Sequence, residues 1–216
     1  MTSPAHEAAS RAADKLGKAV LPHLLGRLDG TTESFRALAR KLSEDPDATL
    51  SDQIALSRVE EAQGEAHRVG WFLGCLASAS GTDLLIARRE DNGLRLFCGV
   101  ILDALSDNTT ISPAPVDLPR IATGIGRGWE LSFLAGFLFY AGLNGEFAGD
   151  ELCWTLERRN DQAFLRVESV LRNEDAELLE ELAGLLPGAR ANASVELAEI
   201  RFPDPWLAPR PQNGEV

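Results

Sequence analysis

The chain has no apolar run of the roughly 18 residues that a membrane-spanning helix requires, which excludes a membrane span. Its first residues, Met1-Thr2-Ser3-Pro4-Ala5-His6-Glu7, lack a basic stretch leading into an apolar core, so no secretory signal is expected. Cysteine is scarce: Cys75, Cys98 and Cys153 are odd in number, far apart and without C-x-x-C spacing. That argues against a disulfide framework and a zinc site, and for buried thiols in a reducing cytoplasm. Positive charge is short too, with 21 Lys and Arg against 33 Asp and Glu, a net charge of −12. Nucleic acid is not an expected partner, because phosphate backbones are held by clustered Lys and Arg.

What is present is 216 residues with 44% apolar side chains, enough for one large domain or two small ones. Charge divides them unevenly. Residues 1–80 hold 9 basic and 11 acidic side chains, and residues 81–216 hold 12 and 22. A near-neutral first part and an acidic second part suggest two units with different surfaces, and an acidic partner would dock on the first.

Residues 5–29 read as helix, and the run continues to about Leu42. Leu21, Leu24, Leu28, Phe35, Leu38 and Leu42 recur at three-, four- or seven-residue steps and form one stripe. Pro22 and the Asp29-Gly30-Thr31-Thr32 segment are the expected points of a kink or bend. Ser43 to Ala48 is a polar, proline-containing loop, and Thr49-Leu50-Ser51-Asp52 offers caps for a second helix to about Ser80. Its expected face is Ile54, Val59, Ala62, Ala66, Val69, Phe72, Leu73 and Leu76. Two such helices make an antiparallel hairpin with half a core, which needs another layer; a dimeric four-helix bundle would supply one.

Ser80-Gly81-Thr82-Asp83 is the expected boundary. Beyond it, Leu84 to Ala87 is a short apolar run and Leu94 to Leu105 a helix. Thr109 to Ser112 and Pro119 to Ala122 are candidate short strands, and Trp129 to Leu143 is a strongly apolar helix. Leu152 to Leu156 and Phe164 to Glu168 alternate around Arg158-Arg159-Asn160-Asp161-Gln162 and predict a hairpin. Ala176 to Leu185 is an acidic helix with a solvated face, Val195 to Phe202 a last strand, and residues 204–216 a flexible tail. The second half therefore reads as an α/β sandwich.

On the helical wheel His23 falls roughly 110° from the centre of the first helix's stripe, with Arg27 one turn further on, so the two share a wet flank. The bland reading is a solvated histidine beside a solvated arginine. His67 lies roughly 155° from the apolar centre of the second helix and is also expected to be exposed. His6 sits near a terminus. Gly124-Ile125-Gly126-Arg127-Gly128 lacks the Lys-Ser/Thr of a phosphate-binding loop and reads as a turn entering a helix. Phe133, Phe137, Phe139 and Tyr140 read as core.

The order of elements resembles a bacterial sensor histidine kinase: a dimerising helical hairpin with a phospho-accepting histidine on its first helix, then a GHKL-type ATP-binding sandwich. Trp129 to Ala141 is similar to the helix of that family's N-box, commonly N-L-x-x-N-A, but Gly136 and Tyr140 stand where its two asparagines would be. The family's Asp-x-Gly-x-Gly turn is matched in place by Val167-Glu168-Ser169-Val170-Leu171-Arg172, without Asp or glycines. The glycine-rich lid is replaced by Asn173 to Gly188. The whole, over about residues 15–203, is similar to histidine phosphotransferases built as degenerate kinases.

The resemblance implies an α+β chain in two parts. A helical hairpin for dimerisation and phosphotransfer spans residues 1–80, and a degenerate histidine-kinase-like α/β domain spans 81–203. It implies His23 as phospho-acceptor, with Arg27 stabilising the phosphoryl group. It implies receiver domains of response regulators as partners, docking near Arg27, Arg36, Arg40 or Lys41, with the receiver supplying magnesium. The family's histidine is followed by an acid and, five positions on, by proline; here those places are Leu24 and Leu28. A kinase needs that base, whereas a relay can use the receiver's carboxylates, so phosphotransfer without autokinase activity is the expectation. No cofactor of the chain's own is expected. The alternative is a dimeric scaffold of pseudokinase type that binds a signalling partner without chemistry.

Overall fold

The structure, a computed structural model, describes residues 3–44, 52–82, 93–105, 110–111, 128–147, 151–194 and 196–203. Leu84 to Ala87, Pro119 to Ala122, the glycine cluster before Gly128 and the tail 204–216 lie outside the described residues.

Helix α1 runs unbroken from Pro4 to Glu44. Pro22 removes one backbone donor without stopping the helix. The helix does not stop at Gly30, and there Thr31 and Thr32 donate their hydroxyls back to the carbonyls of Arg27 and Leu28, at 3.0 and 2.9 Å. Residues expected to cap thus satisfy themselves inside the helix. Helix α2 spans Asp52–Ala79. The hairpin is antiparallel, since Arg27 of α1 meets Glu65 of α2 while Gly17 lies beside Leu76.

The buried face of α1 is not the leucine stripe. Ala8, Ala9, Ala12, Ala13, Leu16, Val20 and Leu24 are buried, whereas Leu21 and Leu28 are only half-buried and Leu25 is 60% exposed. Four alanines bring the helix backbone close to its neighbours, and their contribution is contact area rather than bulk. On α2 the buried residues are Val69, Trp71, Phe72, Cys75 and Ala79, and Leu73 faces outwards.

Helices α3 (Gly93–Leu105) and α4 (Gly128–Leu143) cover that face, and α5 (Asn173–Ala183) covers the first turns of α1. Phe72 of α2 stacks on Phe97 of α3 at 5.0 Å, and Phe97 meets Phe133 of α4 at 5.8 Å. Phe133, Phe137 and Phe139 are fully buried, as the reading of that cluster as core requires. The layer that the hairpin needs on this flank is therefore supplied within the chain, and one apolar cluster runs from α1 to the sheet.

Strands β1 (Thr110–Ile111) and β2 (Glu151–Leu152) pair in parallel. The main sheet is antiparallel in the order β3-β4-β6-β5, from β3 (Trp154–Arg159), β4 (Gln162–Val167), β5 (Arg190–Ala193) and β6 (Ala198–Pro203). Asn160, with φ 54°, and Asp161 close the β3–β4 hairpin, a left-handed turn that asparagine tolerates. Strand β5 is not expected from the sequence. The architecture is α+β, helices followed by a four-stranded antiparallel sheet.

Candidate functional site

His23 lies seven residues beyond Leu16 and three beyond Val20, so it belongs to the buried side of α1. It is half-buried rather than on a wet flank, and its Nε2 is enclosed without a hydrogen-bond partner. The expected exposure used the leucine stripe as the reference; the alanine face reverses it. The other histidines differ. His6 Nδ1 lies 2.8 Å from the Ser3 hydroxyl, and exposed His67 has a partner of its own.

Arg27 is one turn from His23 but is already engaged. Its guanidinium donates to Glu65 at 2.6 Å and to Asp103 at 3.2 Å. Arg68 donates to the same two carboxylates, at 3.4 Å to Glu65 and closely to Asp103. Two arginines and two acids so form a closed ring joining α1, α2 and α3. Its members lie 35 to 76 residues apart across elements, and only their (i, i+3) pair could be seen in the sequence. Of the other docking candidates, Arg36 pairs with Glu33 at 2.6 Å and Arg40 is exposed with a partner; the Lys41 side chain lies outside the described residues.

The two N-box positions on α4 are closed over. A Cβ on Gly136 would stand 2.3 Å from the Phe97 ring and 2.8 Å from Ile101, so glycine is what lets α3 cross α4 this closely. Tyr140 is half-buried, and burial, then the Asp175 carboxylate, push its hydroxyl pKa up against the opposing pull of Lys15 and Arg172. Asp175 itself is 1% exposed and accepts from Lys15 at 2.7 Å, with Glu174 at 3.2 Å from the same ammonium. Burial opposes the charge on Lys15, but the hydrogen bonds to Asp175 and Glu174 and their Coulombic attraction prevail and raise its pKa. The acidic helix is therefore not wholly solvated; Asp175 holds α5 to α1.

The turn in place of Asp-x-Gly-x-Gly is also packed down. Ser169 is buried and donates to the Gly142 carbonyl at 2.9 Å. A Cβ on Gly145 would stand 2.4 Å from the Val170 carbonyl oxygen. Among the described residues no group of three or more His, Cys, Asp or Glu could hold a metal ion. No helix of the described residues is long and apolar enough to cross a membrane.

No protein-family profile and no curated protein matches the sequence. Among solved structures, the histidine kinase AdeS of Acinetobacter baumannii matches 85% of this chain and 95% of its own, with 12% identity and a TM-score of 0.36. A histidine kinase of Burkholderia phymatum STM815 matches 93% and 98%, with 10% identity and a TM-score of 0.39. Full-length ShkA, solved in complex with AMPPNP, matches 85% of this chain and 46% of its own, with 14% identity and a TM-score of 0.38. At such TM-scores the overlap carries no argument, and the chemistry of this chain has to be read from its own residues.

Proposed function

We propose that the chain is a signalling protein of histidine-kinase type that has lost nucleotide chemistry and relays phosphoryl groups between receiver domains through His23. The observation that carries this reading is the state of the imidazole: among the three histidines, His23 alone lies on the packed side of the hairpin with a ring nitrogen that makes no hydrogen bond. Attack on an aspartyl phosphate needs an imidazole nitrogen that no other group holds, and because Nε2 is enclosed the ring has to turn outwards before a receiver reaches it. The histidine gains the phosphoryl group as the P–O bond to the receiver's carboxylate breaks; return to a second receiver reverses this. Magnesium comes with the receiver.

The loss of nucleotide chemistry is supported by Gly136 under Phe97, Tyr140 between α1 and α5, and Ser169 on the end of α4. Each fills a place where the kinase family would turn towards ATP. Homodimerisation is supported by the outer side of the hairpin. Leu21, Pro22, Leu25 and Gly17 of α1 and Leu76 and Ala77 of α2 line an open groove of about 770 Å³, with Leu73 43% exposed beside it. A second copy laid on it completes a four-helix bundle. Leu25→Asp with Leu73→Asp gives monomer in sedimentation, and an unchanged dimer rules this face out.

One observation favours the second reading, a scaffold of pseudokinase type. His23 Nε2 is enclosed, and Arg27 is consumed by Glu65 and Asp103. Incubation with a labelled, phosphorylated receiver separates the two. Relay gives acid-labile label that is lost in His23→Gln. Label that survives the substitution moves the site, and no label from any cognate receiver establishes the scaffold. ATP–magnesium binding in calorimetry would refute the loss of the nucleotide site.

A further inference from the structure

The main sheet has one face on the helices and one turned away. Ala163, Leu165, Val167, Ala198, Ile200 and Phe202 face α4 and α5 and are buried. The residues between them form rows across the other face. Register aligns Glu157, Phe164, Arg201 and Arg190 in one row, and Thr155, Arg166, Glu199 and Asn192 in the next.

The charges on this face do not balance. Its two carboxylates are already taken: Glu199 accepts from Arg166 at 2.5 Å, and Glu157 from Arg166 at 3.0 Å and Arg159 at 2.6 Å. Glu157 stands two strands, about 10 Å, from Arg201, and its ion pairs among the described residues are with Arg159 and Arg166. Arg166 lies over that ring, 5.4 Å from its centre. This leaves Arg190 and Arg201 directly opposite each other on β5 and β6, with no ion pair among the described residues. Like charges in that position destabilise a sheet. Arg201 also has its Nε enclosed and without a partner among the described residues, so only the outer nitrogens of its guanidinium are open to a ligand.

We propose that this face docks an acidic protein segment, whose Asp or Glu carboxylates are bound by Arg190 and Arg201. Guanidinium groups hold carboxylates in bidentate fashion, and two side by side suit successive acids of an extended segment. Residues 81–216 hold 22 acidic against 12 basic side chains, so within this part of the chain the arginine pair is where an acidic partner is favoured. The overall charge of −12 disfavours a nucleic acid, which needs many phosphate contacts rather than two. The proposal stands whether or not His23 carries phosphate.

The test is fluorescence polarisation of the full chain with a short fluorescein-labelled oligoglutamate at low ionic strength. Binding is expected, and Arg190→Gln with Arg201→Gln weakens it by about tenfold or more, the loss of at least one charge-assisted contact. Glu199→Gln, which leaves Arg166 with Glu157 alone on the same face, strengthens it, and an unchanged circular dichroism spectrum of the double arginine variant shows that it still folds. Equal binding by the double variant, or weaker binding by Glu199→Gln, overturns the proposal. So does an oligothymidylate that outcompetes the peptide, which indicates a nucleic-acid surface. Displacement by inorganic phosphate at the peptide's own concentration would reduce the site to a free-anion site and overturns it as well.

Discussion

The two ends of the hairpin are held by different physics. From Ala8 to Leu24, α1 is fastened by apolar burial against α3, α4 and α5, and Lys15 and Arg11 add ion pairs to α5. From Arg27 on, Leu28 still touches the core, but most of the described side-chain contacts are charges and hydroxyls: the Arg27–Glu65–Arg68–Asp103 ring, Arg36 with Glu33, and the two threonines. His23 sits where one regime gives way to the other. Apolar burial is set by area and resists salt, whereas partly exposed ion pairs contribute little each and are screened. The near end is thus a permanent fixture, and the far end is held by terms that a charged partner can replace.

Truncating the near end gives the largest effect. Leu16→Ala lowers unfolding stability by about 2–5 kcal/mol in urea titration, and a cost as small as that of a surface change would break the contrast. Gly136→Ala follows at about 1–3 kcal/mol, because its methyl has to displace the Phe97 ring in the core. Lys15→Met leaves the buried Asp175 carboxylate without its partner and costs about 1–3 kcal/mol. At the far end, Arg27→Gln costs about 0.2–1 kcal/mol, and added salt erases the difference from wild type.

Acidity sharpens the same contrast. Burial raises the Cys75 thiol well above its ordinary value of 9.0, helped by Cys98 and Glu130, and burial also raises Cys98. The folded pKa exceeds the unfolded one, so this contribution is complete below pH 9.0 and is lost as pH rises beyond it. The near end, where these thiols are packed, should loosen in alkali more than the far end. Amide exchange checks this, and equal loosening at both ends would contradict it. Thiol labelling at neutral pH should reach half-buried Cys153 and spare Cys75 and Cys98 until the chain unfolds.

Much of the fold is legible because long periodic segments carry their own signal. The limits of α2, α3 and α4 fall within a residue or two of those read from apolar spacing, and the β3–β4 hairpin is where alternation puts it. The face of α1 is misread because leucine is conspicuous and alanine is not. Ala8, Ala9, Ala12 and Ala13 have the spacing of a buried face, but small residues announce close approach only once a neighbour is known. Strand β5, Arg190-Ala191-Asn192-Ala193, has neither branched nor aromatic residues and is a strand through its pairing with β6. The engagement of Arg27, and the burial of Asp175 with Lys15, depend on partners 38 to 160 residues away, and no local pattern encodes them.

The threonines that close the chain over Gly30 have a mechanical consequence. They lie inside a single helix of 41 residues, about 60 Å along its path, that runs on through both Pro22 and Gly30. A partner that touches Arg36 therefore acts on the same continuous helix that carries His23 and, two turns further in, Leu16. No loop intervenes between the end that a partner can touch and the part of α1 that the core holds.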